Sequence, residues 1–177
     1  LKNRYVKKLY SEAEAKEYLK TGKIYLTKLA LISTFKDNAW KHRLILDCRV
    51  SGANSASWKT ERIVLPRVWD VIRDTLELQK LGLNGKQISY FVCDFMDAFF
   101  KLPLHADEQP FFVFLFQGEV YVCLRVGQGS LNGPNTFGRL SAFTGRVTQS
   151  VFDPSELLMQ IYVDDPITTI RATPTRT

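Results

Sequence analysis

The chain has 177 residues, of which 45% are hydrophobic and 12% aromatic, so it can bury a core and is not disordered throughout. Lysine and arginine outnumber aspartate and glutamate by 24 to 18, and the net charge of +6 suits a polyanionic partner, although a solvated basic surface would give the same balance. Asp94 and Asp97 interrupt the longest apolar stretch before it reaches the roughly 18–20 residues of a membrane span, so no membrane partner is expected.

The first third of the chain predicts one helix and short strands. Residues 11–14, Ser-Glu-Ala-Glu, predict a capping box that opens a helix through Lys20. Residues 24–34 are apolar and β-prone, and residues 44–46 predict a short strand between basic residues. The small polar residues 51–59 predict a loop.

The middle of the chain predicts a helix, a strand and a hairpin. Leu65-Pro66 opens the helix, which ends near Gly82. Its predicted apolar stripe consists of Val68, Ile72, Thr75 and Leu76. Residues 88–94 predict a buried strand that ends in an acid, and residues 111–116 and 120–126 predict two strands of a hairpin around Gly118.

The last third predicts a loop, a long helix and a second hairpin. A glycine-bounded loop at 127–130 precedes a helix that begins at Pro134. The predicted apolar face of this helix consists of Phe137, Leu140, Val147 and Val151. An apolar run at 157–163 and the β-prone residues 167–170 flank a pair of aspartates. Because the elements are mixed and lack βαβ regularity, the fold class predicted is α+β.

The cysteines give no sign of a metal site. Cys48, Cys93 and Cys123 are odd in number and lack ligand spacing. They predict reduced, mostly buried thiols in an intracellular protein of the cytoplasm or nucleus. Since the chain begins with Leu1 rather than methionine, we expect it to be a fragment of something longer, such as a polyprotein.

Three acids stand at the ends of two apolar, strand-like runs. Asp94 ends the first run, and Asp164 and Asp165 end the second. Carboxylates are costly to bury there unless cations or hydrogen bonds compensate. If the three converge, they predict a site for hard divalent cations, and a pair of such ions serves phosphoryl transfer. The alternative for Asp164-Asp165 is an ordinary acidic turn.

The order and spacing of four motifs resemble those of the reverse transcriptases, the RNA-directed DNA polymerases of retroviruses and retroelements such as retrotransposons. These motifs are Asp94-Phe95-Met96-Asp97-Ala98-Phe99-Phe100, Gln128-Gly129, Pro134 and Tyr162-Val163-Asp164-Asp165. The resemblance implies a right-hand polymerase palm, an antiparallel sheet backed by helices, with fingers and without a thumb. It assigns residues 1–88 mainly to fingers and 89–177 to palm, with a fingers hairpin at about 103–128.

The resemblance also implies a catalytic centre. Asp94, Asp164 and Asp165 would be the catalytic acids, and together with the carbonyl of Phe95 they would hold two Mg²⁺ or Mn²⁺ ions. The reaction would be in-line attack of a primer 3′-oxygen on the α-phosphate of a deoxynucleoside triphosphate. The implied partners are an RNA or DNA template, a primer and the dNTP.

Six further positions would bind the incoming nucleotide. They are Lys36, Arg43, Asp97, Ala98, Phe99 and Gln128. Lys36 and Arg43 would grip the triphosphate, as the family's lysine and arginine do at the same spacing. The ring of Phe99 would leave no room for a 2′-hydroxyl and so would select deoxynucleotides. The alternatives are a solvated basic strand for Lys36 and Arg43, a core residue for Phe99 and a plain loop residue for Gln128.

Three positions depart from the family pattern. Gly127 stands where proline is usual, and Gly133 stands where serine is common. Pro166 directly follows the aspartates, where it removes an N–H from the hairpin and predicts a displaced turn. This departure favours an alternative hypothesis, an inactive retroelement remnant that folds or binds nucleic acid without polymerising. An RNA-dependent RNA polymerase would keep the acids but is disfavoured by Phe99.

Overall fold

The structure is a computed structural model that describes residues 5–59 and 61–174. It is a mixed α/β fold in which the described strands form three sheets, and the strands within each sheet pair antiparallel, in agreement with the predicted α+β class. The elements in chain order are β1 (Val6–Leu9), α1 (Glu12–Tyr18), β2 (Lys28–Lys36), β3 (Ala39–Asp47), α2 (Ala53–Ala56), α3 (Val68–Lys80), β4 (Gln87–Val92), β5 (Val113–Phe116), β6 (Glu119–Cys123), α4 (Gly133–Val151), β7 (Leu157–Tyr162) and β8 (Asp165–Ala172).

The chain divides into two compact units, and each is built from two separate segments. The first unit consists of Leu1–Glu61 and Asp97–Pro134, and the second consists of Arg62–Met96 and Asn135–Thr177. The names fingers and palm, with a boundary after residue 88, stay predictions. No helix in the described part of the chain is long and apolar enough to cross a membrane.

The core of the first unit lies against the sheet β1-β6-β5. Leu9, Ala15, Val113 and Val122 form one buried cluster, which joins this sheet to α1. The predicted capping box begins α1, where the Ser11 hydroxyl accepts a hydrogen bond from the Glu14 N–H at 3.1 Å. The helix ends at Tyr18, two residues earlier than predicted.

Two parts of the first unit differ from the sequence prediction. Strands β2 and β3 form a hairpin rather than separate strands, and Asp37 and Asn38 provide its two-residue turn with φ of 55° and 58°. Both φ values are positive, as a tight hairpin turn requires, and Asp and Asn tolerate that conformation. Residues 53–56, predicted as loop, form the short helix α2.

The second unit is built on the sheet β4-β8-β7, which α3 packs against. The predicted apolar stripe of α3 is wrong, because Val68, Ile72 and Leu76 are exposed. The side chains that α3 buries are Asp74 and Leu78. Apolar periodicity missed this face because one of its buried positions is an acid.

Two further burial predictions for the second unit are wrong in part. In α4, Phe137 is buried as predicted, whereas Leu140, Val147 and Val151 are exposed. Strand β4, which was predicted to be buried, is an edge strand of the sheet, and Tyr90, Phe91 and Val92 are all more than half exposed. Their consecutive apolar side chains resemble a central strand in sequence, but an edge position leaves them open.

The thiols are largely as predicted. Cys48 and Cys123 are free and buried, and burial raises their pKa values to about 11 and about 12. Cys93, next to the first candidate acid, is free but exposed.

Candidate functional site

The paired aspartates lie at the tip of the hairpin that joins β7 to β8. Tyr162 pairs with Asp165, so Val163 and Asp164 form a two-residue turn, and Asp165 is the first residue of β8. Asp164 is half-buried and Asp165 is exposed. The predicted hairpin is therefore present, with Asp164 in the turn itself.

The turn has an unusual backbone conformation. Val163 has φ of +57°, whereas Asp164 has negative φ, which is the pattern of a turn that prefers glycine at its first central position. A β-branched residue at positive φ is a true outlier, and such a conformation costs about 1–3 kcal/mol. The surrounding sheet must hold the turn in this shape.

Backbone hydrogen bonds bring the hairpin beside the end of β4. The Phe95 N–H donates to the carbonyl of Asp164 at 2.9 Å, and the Cys93 N–H donates to the carbonyl of Pro166 at 3.1 Å. Asp94 lies between these two donors in sequence and is exposed. The pairing of β4 with β8 thus continues past Val92 to the three acids.

Pro166 is accommodated without loss of the hairpin. It is buried and pairs with Ile161, one step beyond the hydrogen-bonded pair that closes the two-residue turn. In an antiparallel ladder this alternate position turns its nitrogen away from β7, toward β4. The missing N–H therefore removes a bond to β4, where the Cys93 N–H still reaches the Pro166 carbonyl. The turn that Pro166 was predicted to displace is retained.

The charges of the three acids affect one another. Burial raises the pKa of Asp164 above its usual value, and the negative charges of Asp165 and Asp94 raise it further, against a hydrogen bond to its own backbone that lowers it. The two neighbours are therefore close enough to oppose the ionisation of Asp164.

The donors at this site suit a hard cation, although they are not gathered as a ready cage. Among residues 5–59 and 61–174, no three His, Cys, Asp or Glu side chains are grouped closely enough to hold a metal ion. The candidate donors are nevertheless all oxygens, from Asp94, Asp164, Asp165 and the Phe95 carbonyl, which are the ligands that Mg²⁺ prefers. Their mutual repulsion is what a divalent cation would relieve, so the residues fit the ion by chemistry.

The predicted triphosphate ligands lie on one face of the β2–β3 hairpin in the first unit. Lys36 pairs with Ala39 at the tip, and Arg43 lies four residues from Ala39 along β3. Because side chains alternate across a strand, Lys36 and Arg43 point to the same side, separated by about 13 Å along the ribbon. Lys41 shares this face and pairs with Asp37 at 3.3 Å.

The loop that carries Gln128 is pressed against the base of this hairpin. The Gln128 carbonyl accepts a hydrogen bond from the Leu46 N–H at 2.9 Å. A Cβ at Gly127 would lie 2.5 Å from Leu46 Cδ1, and one at Gly129, which has φ of +111°, would lie 2.0 Å from the Leu46 carbonyl oxygen. Glycine is therefore required at 129, and at 127 any side chain would displace Leu46.

The remaining three nucleotide-binding candidates lie where the second segment of the first unit begins. Asp97 accepts a hydrogen bond from the Tyr5 hydroxyl at 3.0 Å and has φ of +56°. Ala98 is buried, and Phe99 is partly buried against the hydrophobic core of this unit. The packing of Phe99 is compatible with the alternative of a core residue, so its role in sugar selection stays a prediction.

Sequence reasoning missed several residues that hold these segments in place. Asn54 of α2 accepts from the Leu131 N–H at 2.9 Å and donates to the Gly129 carbonyl at 3.1 Å, which fixes the Gln128 loop. Gln149 of α4 donates to the Leu157 carbonyl at 2.8 Å and accepts from the Met159 N–H at 3.0 Å. Single amides in a loop and on a helix carry no spacing signal that could have identified them.

Comparison with known proteins gives matches in structure alone. No protein-family model matches the chain, and no curated protein sequence matches it. The foamy viral protease-reverse transcriptase dRH in complex with double-stranded DNA superposes with a TM-score of 0.59 and 19% identity over 99% of this chain. The foamy viral protease-reverse transcriptase in complex with double-stranded DNA gives a TM-score of 0.58, also with 19% identity over 99% of the chain.

The chain has a reverse-transcriptase-like fold. A third structure, a prototype foamy virus protease-reverse transcriptase mutant, agrees with a TM-score of 0.50 and 20% identity over 80% of the chain. The chain spans 24%, 29% and 16% of the lengths of these three proteins, so it matches a part of each. At these identities the comparison establishes the fold.

Proposed function

We propose that the chain is the fingers and palm of a reverse transcriptase from a retrotransposon or another retroelement, and that it extends a DNA primer on an RNA template. The observation that carries the proposal is the hydrogen bond from the Phe95 N–H to the Asp164 carbonyl, within a reverse-transcriptase-like fold. This bond brings the segment after β4, which carries Asp94, beside the hairpin that carries Asp164 and Asp165. Acids so placed suit nucleotidyl transfer.

The three acids and the Phe95 carbonyl would hold two Mg²⁺ or Mn²⁺ ions. Such ions, when bound, supply charge stabilisation for the attacking and leaving oxygens of phosphoryl transfer. The chain's own contribution would be to bring oxygens from the end of β4 and from the β7–β8 hairpin close together, with β8 paired to both of its neighbours in support of the turn. Because Asp164 is half-buried, its carboxylate is partly desolvated and its electrostatic interactions are strengthened.

The residues of the first unit would bind the incoming nucleotide. Lys36 and Arg43, on one face of their hairpin, would bind the triphosphate, for which the arginine fork offers two N–H donors and the lysine a point charge. Gln128, Asp97 and Ala98 would contact the sugar and base region. Phe99 would exclude a 2′-hydroxyl and thereby favour dNTPs over ribonucleotides.

The proposed macromolecular partner is a template–primer duplex. Two of the similar foamy viral structures were determined with double-stranded DNA, and this chain's net charge of +6 suits the same kind of ligand. Binding would depend on phosphate charge and duplex shape rather than on base identity. The chain would carry out this function within a longer protein, as a domain of a polyprotein.

The direct test is dNTP incorporation on a primed RNA template with Mg²⁺ or Mn²⁺. Asp94→Asn and Asp164→Asn should each abolish incorporation, because each removes a carboxylate from the centre. Asp153→Asn is the matched control, since Asp153 is an exposed acid of the same unit, in the turn before β7, and the variant should keep full activity.

Three other outcomes would contradict the proposal. Incorporation that persists in both centre variants would show that these acids are not catalytic. Duplex binding without any incorporation would support the inactive remnant. A preference for ribonucleotides would support an RNA polymerase.

A further inference from the structure

A buried acid of α3 contacts the strand that leads into the aspartate turn. Asp74 is buried, and its Oδ2 accepts a hydrogen bond from Gln160 Nε2 at 2.7 Å. Gln160 lies in β7, two residues before Tyr162, which closes the turn. Carboxylates are rarely buried, because the free-energy cost of their desolvation must be offset by an opposite charge or by hydrogen bonds.

The compensation for Asp74 is incomplete without Gln160. Arg73 Nη2 lies 3.6 Å from Asp74 Oδ1, beyond ordinary hydrogen-bond distance, and the Arg73 side chain also reaches Asp70 at 3.3 Å. Of these two contacts of the buried carboxylate, the bond to Gln160 is the shorter. The contact therefore links α3 directly to β7 at this level.

A solvent-open pocket of about 460 Å³ lies beside this contact, between the start of α3 and the sheet, and Val68 and Tyr162 in its lining are exposed. Its lining residues are Pro66, Arg67, Val68, Val71, Gln160, Tyr162 and Ile167. Next to Tyr162, close packing therefore does not determine where β7 lies relative to α3. A directional hydrogen bond can do so where packing does not.

The other side of β7 is already fixed by α4. Gln149 bonds the Leu157 carbonyl and the Met159 N–H, as a neighbouring strand would. Gly145 allows close approach there, because a Cβ at this position would lie 2.7 Å from Ile161 Cδ1. On the side that faces α3, the bond between Asp74 and Gln160 holds β7.

We propose that Asp74 is a positioning residue: through Gln160 it holds the hairpin so that the Asp164 carbonyl stays bonded to the Phe95 N–H, beside Asp94. The inference rests on the proposed function for its catalytic meaning. Its structural part is independent of that function, because the Phe95 N–H reports the position of the turn whether or not the chain polymerises.

The test is amide hydrogen exchange at Phe95, with the Thr169 N–H of the buried strand β8 as internal reference. Asp74→Leu and Gln160→Leu should each speed exchange at Phe95 at least about fivefold relative to Thr169, the effect of one lost buried hydrogen bond. The double variant should be no faster than the faster single variant, because both remove one interaction. Asp74→Asn keeps an acceptor oxygen and should restore most of the protection.

The matched control is Lys86→Met. It breaks the exposed pair between Lys86 and Glu156, at the end of the sheet remote from the turn, and exchange at Phe95 should stay within about twofold of wild type. Equal acceleration at Thr169 and Phe95, or none at Phe95, would show that Asp74 merely stabilises the unit and would overturn the proposal.

Kinetics separate this inference from the proposed function. Asp74→Leu should lower kcat for dNTP incorporation at least about fivefold with KM for the dNTP within about twofold, because the variant displaces the acids rather than the nucleotide site. A rise in KM at constant kcat would contradict positioning. A wild-type chain without incorporation would refute the proposed function, and the exchange result alone would then decide on Asp74.

Discussion

Asp164 is the residue at which stability and the proposed function oppose each other. Its pKa is raised in the folded chain by burial and by the charges of Asp165 and Asp94, above the ordinary value of 3.8. The folded state therefore binds this proton more tightly than the unfolded state does. The resulting contribution to stability is present below pH 3.8 and is lost as the pH rises through the raised pKa.

Asp164→Asn should consequently stabilise the chain at neutral pH in the absence of divalent ions. The neutral amide carries no charge to desolvate or repel, so Tm should exceed that of wild type at pH 7, and the difference should shrink toward zero as the pH falls to 3.8. Thermal unfolding followed by circular dichroism over this range measures the effect.

The control variant for this prediction should change Tm at neutral pH in the opposite direction. The backbone N–H of Ser155 and then its side chain hydrogen-bond Asp153, and these bonds hold the pKa of Asp153 below its usual value. Asp153→Asn should therefore lower Tm at neutral pH, with the deficit lost as the pH falls through the depressed pKa. A lower Tm for Asp164→Asn at neutral pH would contradict the electrostatic account of the turn.

Single residues also mark the limit of the sequence prediction for the site. The acids and their hairpin were predicted, because an apolar run that ends in Tyr-x-Asp-Asp is a local pattern. The positive φ of Val163 and the retained turn beside Pro166 were not, because both depend on how β8 pairs with its two neighbours.

At the scale of elements, the two faces of α3 are expected to differ in how much they contribute to the stability of the fold. Leu78 is 1% exposed and Leu76 is 52% exposed, although the periodicity of the sequence predicted Leu76 for the core. Leu78→Ala should lower the free energy of unfolding by about 2–5 kcal/mol, because it opens a cavity in the second unit. Leu76→Ala should change it by less than about 0.5 kcal/mol.

This pair is internally matched, since both variants make the same chemical change two positions apart in one helix. Urea unfolding with a shared m-value measures both free energies. A larger loss at Leu76 than at Leu78 would show that the predicted stripe, rather than the observed face, contacts the sheet.

The positions of the helices and strands were predicted better than the burial of their side chains. The positions of α1, α3, α4 and the hairpin of β5 and β6 follow from local signals, namely caps, prolines and a Gln-Gly turn. The exposure of β4 depends on its edge position in the sheet, and the buried face of α3 depends on how the helix packs against that sheet. The periodicity of apolar residues does not determine either of these. The β2–β3 hairpin was missed because its Asp-Asn turn is a weaker signal than Asn-Gly.

At the scale of the whole molecule, the net charge of +6 makes a prediction about duplex binding. Affinity for a template–primer duplex, measured by fluorescence anisotropy, should fall at least about tenfold between roughly 50 and 200 mM salt, since two or more phosphate contacts release counterions. A duplex of the same sequence with an uncharged backbone should bind weakly and without this salt dependence. Affinity that is independent of salt would contradict binding by phosphate charge.

The interleaving of the two units determines the order in which the nascent chain can fold. All residues of the first unit have been synthesised once residue 134 has left the ribosome. The second unit begins at residue 62 but cannot be completed until its last strand, β8, has been synthesised. At about 5–20 residues per second, β4 spends several seconds without β8. During that interval Tyr90, Phe91 and Val92 lie on a strand with both edges unpaired, so β4, which ends two residues before Asp94, is open to mispairing until β8 has been made.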